Sequence, residues 1–423
     1  MLETLANAIR IPEIRSKIVF TAAMLLLYRL GAYIPAPGVD ANVLKNIENE
    51  FSGSNVLGLL NLFAGGSLSR LSLFALGIMP YITASIILQL LTVVLPSLER
   101  LQKEGEVGQQ KITQYTRYLT VGLAFGQSLG YVFLFQSFAD KTGQSVVGDL
   151  TFAKLMLIVV SLTAGCVLLM WLGELITQRG IGNGISLMIF ASIASGMAGG
   201  IQAWATNDDK VFVVMMPFIA LAVVIGIVYV QEGQRRIPVQ YAKRVVGRKM
   251  TTGGSTYLPL RVNMAGVIPV IFAASIMAFP PTIGQLINSP AAVDFANFFS
   301  PNGWAYVVGE IFFIVIFTYF YTAVTFNPID QADNLKKHGG FIPGVRPGRP
   351  TAEYLDRILG RLTFAGALYL GAIAALPTIL ISQTSANFFF GGTSILIVVG
   401  VALDTVKQLE AQLMMRNYEG FMK

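Results

Sequence analysis

Residues Gly53 to Pro96 read GSNVLGLLNLFAGGSLSRLSLFALGIMPYITASIILQLLTVVLP, and the rest of the chain is organised around them. The first apolar part, Val56 to Ala64, is too short to cross a bilayer, which takes about 20 residues. Gly65-Gly66 would end a short helix there, and Ser67 is placed to cap a second helix, Leu68 to Val94, of spanning length. The pattern therefore predicts a half-length apolar helix beside the start of a full one.

The half-length helix has two interpretations, because apolar backbone that enters a membrane without crossing must be buried in protein or line an aqueous cavity. It is either a packing element with no further role, inside the protein or at the interface, or a movable stopper for a pore. On this stretch alone the packing element is the more ordinary interpretation.

The composition is that of a membrane protein. Of 423 residues 54% are hydrophobic and only 13% are charged, and the mean hydropathy is +0.63. The single cysteine, Cys166, excludes an intramolecular disulfide and argues against a structural zinc site. Met1 to Lys17 is amphipathic and leads straight into a long apolar run, so a cleavable signal is not expected.

The apolar runs predict ten spans, at roughly 18–35, 68–94, 116–138, 152–174, 183–202, 211–230, 263–283, 305–325, 363–382 and 391–408. With the N-terminus inside, the cytoplasmic segments hold 24 of the 30 Lys and Arg residues and the opposite side holds five, while Arg29 lies within the first span. This asymmetry predicts that both termini are cytoplasmic. Because much of the basic charge then serves orientation, the net charge of +7 does not imply nucleic acid.

Ten spans divide into two sets of five, and an odd number per set means that the halves insert with opposite orientation. Two pairs of motifs support such a repeat. Gly77–Ile82 and Gly266–Ile271 both read G-x-x-P-x-I, and Gly184–Ile189 and Gly392–Ile397 both read G-x-S-aliphatic-x-I. The alternative is shared small-residue helix packing, since Gly and Ser let helices approach closely.

Each of the four motifs ends on isoleucine, and two of the spans carry a second isoleucine one turn away on the same face. If these spans face one axis, six side chains converge there: Ile82, Ile86, Ile185, Ile189, Ile271 and Ile397. A ring of branched aliphatic side chains would form a dewetting constriction, hostile to ions. Ordinary core or lipid-facing isoleucine is the alternative for any one of them.

Charged residues near the middle of the spans are not evident. Arg29, Lys154, Glu310 and Glu174 all fall towards span ends, so no polar relay of the kind used by ion-coupled transporters is visible. No HExxH, no GxSxG and no paired intramembrane carboxylates appear, so we expect no catalytic residues, no metal and no cofactor. Energy for any transport would have to come from a partner or a gradient.

Two predicted cytoplasmic loops, Gln231–Val262 and Asn327–Arg361, are longer than turns require. Alternation around Val239–Tyr241 and Tyr257–Leu260 suggests a hairpin in the first. The second is rich in Gly and Pro, and its Arg346–Arg349 stretch is placed to dock on an acidic protein face or a phosphate backbone. No aromatic-interleaved basic pattern for sequence-specific nucleic-acid recognition appears.

Several long motifs resemble one family. They are LNLFAGGSLSRLSLFALGIMPYITASIILQLLT, QRGIGNGISLMIF, RRIPVQYAKR, VNMAGVIPVIFAASI, FNPIDQADNLKKHGGFIPGVRPG and GGTSILIVV. Together they resemble the SecY family of protein-conducting channels of the general secretory pathway, bacterial members above all, from the first span to the C-terminal tail.

The resemblance implies an all-α membrane fold with ten transmembrane helices in two inverted halves, 1–205 and 206–423, around an hourglass pore. It implies that residues 57–71 form a plug helix, which favours the stopper interpretation, and that the six isoleucines form the pore ring. The central plug positions are Asn61, Leu62, Phe63, Ala64, Gly65, Gly66, Ser67, Leu68, Ser69 and Arg70.

The resemblance also implies a lateral gate to lipid, between spans two and three on one side and seven and eight on the other. Thr83 and Gln127 match polar positions of that gate, whereas Phe279 replaces an asparagine found in many eukaryotic forms. Arg346 matches an arginine needed for motor-driven transport. The basic residues expected to dock the motor or ribosome are Arg235, Arg236, Arg244, Arg248, Lys249, Arg346 and Arg349.

The partners implied by the resemblance are SecE, SecG, the ATPase SecA, the ribosome, membrane lipid and polypeptides that carry signal sequences. The implied location is the bacterial cytoplasmic membrane. The expected function is a passive channel for unfolded secretory and membrane proteins, driven by SecA or the ribosome. The alternative is an inverted-repeat secondary transporter for a small solute, against which the lack of central charges argues.

Overall fold

The computed structural model describes residues 11–39, 61, 63–142, 151–205, 210–241, 244–246, 249–251, 254–277, 295, 298, 303–384 and 392–421. The helices of the first half are α1 (Pro12–Gly31), α2 (Met79–Val94), α3 (Pro96–Lys103), α4 (Glu106–Thr142), α5 (Phe152–Arg179) and α6 (Gly184–Ala205). Those of the second half are α7 (Lys210–Glu232), α8 (Ile268–Met277), α9 (Trp304–Thr325), α10 (Pro328–Lys337), α11 (Arg349–Thr384) and α12 (Gly392–Phe421).

The described helices confirm a multi-pass membrane protein. Five segments are long and apolar enough to cross a membrane: Glu106–Gln136, Phe152–Arg179, Val213–Glu232, Trp304–Lys337 and Arg349–Leu376. The pair α2 and α3, bent by 99° at Leu95, makes a sixth if it counts as one span. Two shorter apolar helices occur at Gly184–Met197 and Ile268–Met277. The count of ten spans stays a prediction.

The predicted helix from Leu68 to Val94 is wrong in its start, because α2 begins only at Met79. A helix from Leu68 would place Pro80 in its interior, where proline lacks an N–H donor and clashes with the carbonyl four residues earlier. In the structure Pro80 lies in the first turn, where it is tolerated. Gly77 (φ 57°) and Leu71 (φ 41°) adopt left-handed conformations, so the chain before α2 is a series of turns.

The two sequence repeats correspond to matching helix starts. Gly77 and Gly266 both have positive φ (57° and 63°), and α2 and α8 each begin two residues later with proline as their second residue. The helices α6 and α12 both begin at the glycine of their shared motif, Gly184 and Gly392. These equivalences support an internal repeat, and the opposite orientation of the halves stays a prediction.

The predicted hairpin in the first long loop is confirmed. Strand β1 (Gln234–Tyr241) pairs antiparallel with β4 (Ser255–Arg261), which places Ile237 opposite Leu258. Two further strands, β2 (Arg244–Val246) and β3 (Lys249–Thr251), pair with each other, and β5 (Gly340–Phe341) pairs with the end of β1. The alternation along β1 buries Ile237 and Val239 and leaves Pro238, between them, exposed.

The second long loop is more ordered than the sequence predicted. Asn327 accepts a hydrogen bond from the Ile329 amide at 3.0 Å and caps α10, and α11 begins at Arg349, well before the expected span. Leu355, Ile358 and Leu359 lie one helical turn apart and pack with Ile237 of the hairpin. The first turns of α11 thus form an amphipathic helix, in a stretch that the sequence predicted to be a loop.

Besides the cluster between the hairpin and α11, three apolar clusters among the described residues hold the helices together. The largest joins residues of α1, α2, α5 and α6 to residues of α7, α8, α9, α11 and α12. A second lies among α4, α5 and the turns that precede α2. A third is formed by Ile14, Ile181, Leu409 and Leu413, so the start of α1 packs against the final helix, where Lys17 Nζ lies 3.4 Å from Gln412 Oε1.

Candidate functional site

The six predicted ring isoleucines come together in the largest apolar cluster. Five are buried members with at most 5% exposure, and Ile185 packs against them. They come from four helices, α2, α6, α8 and α12, two in each half. The structure therefore places these side chains in one apolar core, and their arrangement as a ring around a pore stays a prediction.

Close glycine contacts hold the contributing helices together. A Cβ on Gly184 would lie 2.0 Å from the Gly173 carbonyl oxygen, so α6 can approach α5 only because the residue is glycine. A Cβ on Gly400 of α12 would lie 2.1 Å from Val267 Cγ1, just before α8. Both contacts lie within about two helical turns of a ring isoleucine. Gly184 and Gly400 therefore allow the close helix packing that brings the isoleucines together.

In segment 61–70, the predicted plug, residues 64–70 are folded as tight turns against the helices, and Asn61 and Phe63 are helical. Phe63 belongs to the same apolar cluster as the isoleucines, whereas Ala64 and Leu68 belong to the second cluster, with Leu68 fully buried. The Ser69 amide donates to Asn61 Oδ1 at 3.0 Å, and Ser67 Oγ donates to the Ala64 carbonyl. Of the predicted plug positions, Leu62 and 57–60 lie outside the described residues.

Two residues of α1 that the sequence did not connect with the plug, Arg29 and Tyr28, contact this segment. Arg29 Nη1 donates to the Gly65 carbonyl at 2.9 Å. The Tyr28 hydroxyl lies 2.5 Å from Ser192 Oγ and 3.5 Å from the Ala64 carbonyl oxygen. The available signal was Arg29 itself, because a charged residue within an apolar span needs a reason to be there.

The helices expected to flank the lateral gate meet at a small polar contact. Ser275 Oγ of α8 lies 3.9 Å from Met79 Sδ of α2. One turn further along α2, Thr83 is buried and its hydroxyl donates to the Met79 carbonyl at 3.0 Å. Gln127 is half-buried on α4, which packs along α2, and Phe279 lies outside the described residues. A gating role for these residues stays a prediction.

The basic residues predicted for docking differ in the element that carries them and in whether they are paired. Arg235 and Arg236 are exposed on β1, and Arg346 is exposed between β5 and α11. Arg349 is the first residue of α11 and pairs with Glu353 at 3.4 Å, so its expected place in a loop is wrong. The remaining three are Arg244 on β2, Lys249 on β3, and Arg248, which lies outside the described residues.

Two of the charged residues that the sequence placed towards span ends, Glu174 and Glu310, are paired or buried, whereas Lys154 is exposed. Glu174 of α5 accepts two hydrogen bonds from Arg117 of α4, at 2.8 and 2.5 Å, in a bidentate pair. Glu310 on α9 is 4% exposed. Within the described part of the chain, no group of three or more His, Cys, Asp or Glu side chains is placed to hold a metal ion.

Comparisons with known proteins agree with this architecture. The fold matches a solved SecY structure whose plug domain stabilises the closed state of its translocation channel and maintains a membrane seal, with a TM-score of 0.63, 21% identity, and coverage of 93% of this chain and 91% of that one. It also matches Sec61 in the canine ribosome–channel complex from the endoplasmic reticulum, with a TM-score of 0.60, 19% identity and the same coverage. The molecule is thus a multi-pass helical membrane protein with the fold of these channels.

Sequence comparison specifies the family. The SecY family profile matches residues 72–406. The protein translocase subunit SecY of Corynebacterium glutamicum is 49% identical over 445 residues, which cover 100% of both chains. The chain belongs to the SecY family.

Proposed function

We propose that this chain is the central channel subunit of a bacterial Sec translocon, through which unfolded secretory proteins cross the cytoplasmic membrane. The observation that carries the proposal is the convergence of six isoleucines from four helices in one apolar cluster, with Phe63 of segment 61–70 in the same cluster. The translocase role of the Corynebacterium glutamicum relative, identical at about half of its positions, supports it.

The isoleucines seal the resting channel by apolarity. A narrow passage lined by branched aliphatic side chains loses its water, which blocks ions. The same walls present no charge or strong hydrogen-bonding group, so an extended polypeptide slides through without being held. The seal therefore needs no selectivity filter. It needs only that the isoleucine side chains move apart for the polypeptide and pack together again afterwards.

Segment 61–70 acts as the plug on this constriction. The solved SecY relative whose plug domain maintains a membrane seal supports this assignment. In this chain the segment is joined to α2 by turns rather than by continuous helix, so it can leave its site without unwinding a span.

The seam between α2 and α8 serves as part of a lateral gate that releases membrane segments into lipid. Its described polar contact is a weak one, a hydroxyl and a thioether 3.9 Å apart. The Thr83 hydroxyl is already satisfied by its own helix, so parting the helices leaves no buried donor there unpaired.

The driving force comes from partners, SecA or the translating ribosome, and SecE and SecG complete the complex. The ribosome-bound Sec61 relative supports docking of this kind. The hairpin and the last loop form one body, because Ile237 and Ile342 share a core, and this body carries Arg235, Arg236 and Arg346. Both termini lie in the cytoplasm, as the distribution of Lys and Arg predicts.

Site-specific photo-crosslinking tests the proposal. A crosslinker at Ile82, in the cluster, should capture a secretory chain stalled during translocation. A matched crosslinker at Phe218, which is 70% exposed on the apolar surface of α7, should capture lipid and no substrate. Equal capture at both positions, or none at Ile82, would contradict the proposed path.

A further inference from the structure

We propose that the C-terminal end of α1 is a latch that holds segment 61–70 in the closed channel, with the Arg29 guanidinium as its main contact. The inference rests on the proposed function, because it assigns a positioning role towards the plug. Arg29 Nη1 donates to the Gly65 carbonyl oxygen at 2.9 Å. Hydrogen bonds from a charged donor are roughly twice as strong as neutral ones.

Gly65 lies in a cradle that fits only glycine. Its φ of +66° is in the left-handed region, and a Cβ there would lie 2.9 Å from the Tyr28 hydroxyl oxygen and 3.0 Å from Arg29 Nη1. On the other side it would lie 3.3 Å from Ser192 Cα. The backbone at Gly65 is therefore enclosed between α1 and α6.

Tyr28 forms the floor of this cradle and is fixed by two neighbours. Ser192 Oγ donates to the Met188 carbonyl at 2.9 Å, so the Tyr28 hydroxyl donates to Ser192 Oγ at 2.5 Å. The Tyr28 ring stacks on Phe74, with centroids 6.1 Å apart. Because Ser192 is on α6, the helix that carries Ile185 and Ile189, the latch and the constriction share a wall.

A second contact joins the end of α1 to the same segment. The guanidinium groups of Arg29 and Arg70 both lie against the Tyr33 ring, at 5.7 and 4.6 Å from its centroid. Such cation–π contacts add to the hold. Arg70 ends segment 61–70, so the segment is contacted at Gly65 by α1 and at its last residue by Tyr33, two residues after α1 ends.

The latch gives a charged residue in an apolar span its function. Arg29 is half-buried at the end of an apolar helix, where a guanidinium is more stable when it is hydrogen-bonded, so Arg29 favours the state in which Gly65 accepts from it. Loss of one charged hydrogen bond changes a two-state ratio roughly ten- to a hundred-fold. The contact therefore sets how readily the plug leaves.

The test measures ion conductance of the purified, complete channel complex in planar bilayers, without substrate. Arg29→Gln should raise the conductance roughly tenfold or more, and should improve translocation of a precursor with a weakened signal sequence. Gly65→Ala should act in the same direction. The double variant should leak no more than the leakier single variant, because both changes break one contact. Leu30→Ala is the matched control, because Leu30 lies on the last turn of α1 with a side chain that is 57% exposed, and the conductance of this variant should stay at the wild-type level.

Deletion of Asn61–Gly66, measured alongside, separates the two proposals. If the deletion raises conductance and Arg29→Gln does not, the latch is wrong and the plug stands. If the deletion leaves conductance unchanged, the plug assignment falls, and the latch with it. If Arg29→Gln does not insert to the wild-type level, Gly65→Ala decides the question alone, since its Cβ would lie 3.0 Å from Arg29 Nη1 and displace the contact, and an unchanged conductance there overturns the latch.

Discussion

Substitution of Gly165 on α5 by alanine should destabilise the protein through a single backbone contact. A Cβ at this position would lie 1.9 Å from the Leu73 carbonyl oxygen and 2.8 Å from its carbonyl carbon. Relief requires a shift of roughly 1 Å, and forced overpacking of this kind costs about 1–3 kcal/mol. Leu73 cannot yield easily, because its amide donates to the Ile34 carbonyl at 2.8 Å and the adjacent Ser72 bridges to Pro35. We therefore expect the upper part of that range.

The assay is thermal unfolding of the purified complex in one detergent. The quantity measured is the fraction of the complex that remains monodisperse after heating to each temperature. Gly165→Ala should lower the melting temperature by several degrees. Gly126→Ala on α4 is the matched control, because a Cβ there meets nothing within 4 Å. Alanine is the better helix former by about 1 kcal/mol, so the control should melt at or above the wild-type temperature. Equal melting of Gly165→Ala and wild type would refute the close approach of α5 to Leu73.

Three further perturbations test the site. Replacing both Ile82 and Ile271 with asparagine should wet the constriction and raise conductance in bilayers, and an unchanged conductance would contradict the ring. Deleting Asn61–Gly66 should raise the same conductance while translocation persists, because the deletion spares the fully buried Leu68; failed assembly would make the segment purely structural. Arg346→Glu should block ATP-dependent translocation into vesicles that hold equal amounts of channel. Because Arg346 is exposed, the substitution should change the unfolding free energy of the protein by less than about 0.5 kcal/mol. Full activity of that variant would mean that the charge serves only topology.

The convergence of the isoleucines was accessible from sequence because it depends on short-range rules. Residues four apart on a helix share a face, and the two motif pairs marked equivalent spans in the two halves. That these spans face one axis was a condition of the sequence argument, which the resemblance to the SecY family supported. The cross-strand pairs of the hairpin were predictable for the same reason, since alternation in β1 and β4 determines which residues face inwards.

The conformation of segment 61–70 was not accessible in this way. Propensity favoured a helix from Leu68 onwards, but Pro80 and the left-handed residues Gly77 and Leu71 prevent it. The contact between Arg29 and Gly65 joins residues 36 apart in sequence, through a backbone carbonyl that carries no residue-specific signal. The start of α11 was missed because Arg349, Arg357 and Arg361 suggested a solvated loop, whereas the apolar residues between them pack against the hairpin.

The packing of α1 against α12 has a consequence for how the protein is made. Ile14 meets Leu409 and Leu413, and Lys17 contacts Gln412 across 395 residues of chain. Contacts of such sequence separation form only after the intervening chain has been synthesised. Ile181 covers part of the apolar face around Ile14, and the rest of this face stays uncovered until the last helix has been made, so truncation anywhere before Leu409 leaves it exposed. A chain that loses its final turns would thus carry an exposed apolar patch at its first helix, far in sequence from the truncation.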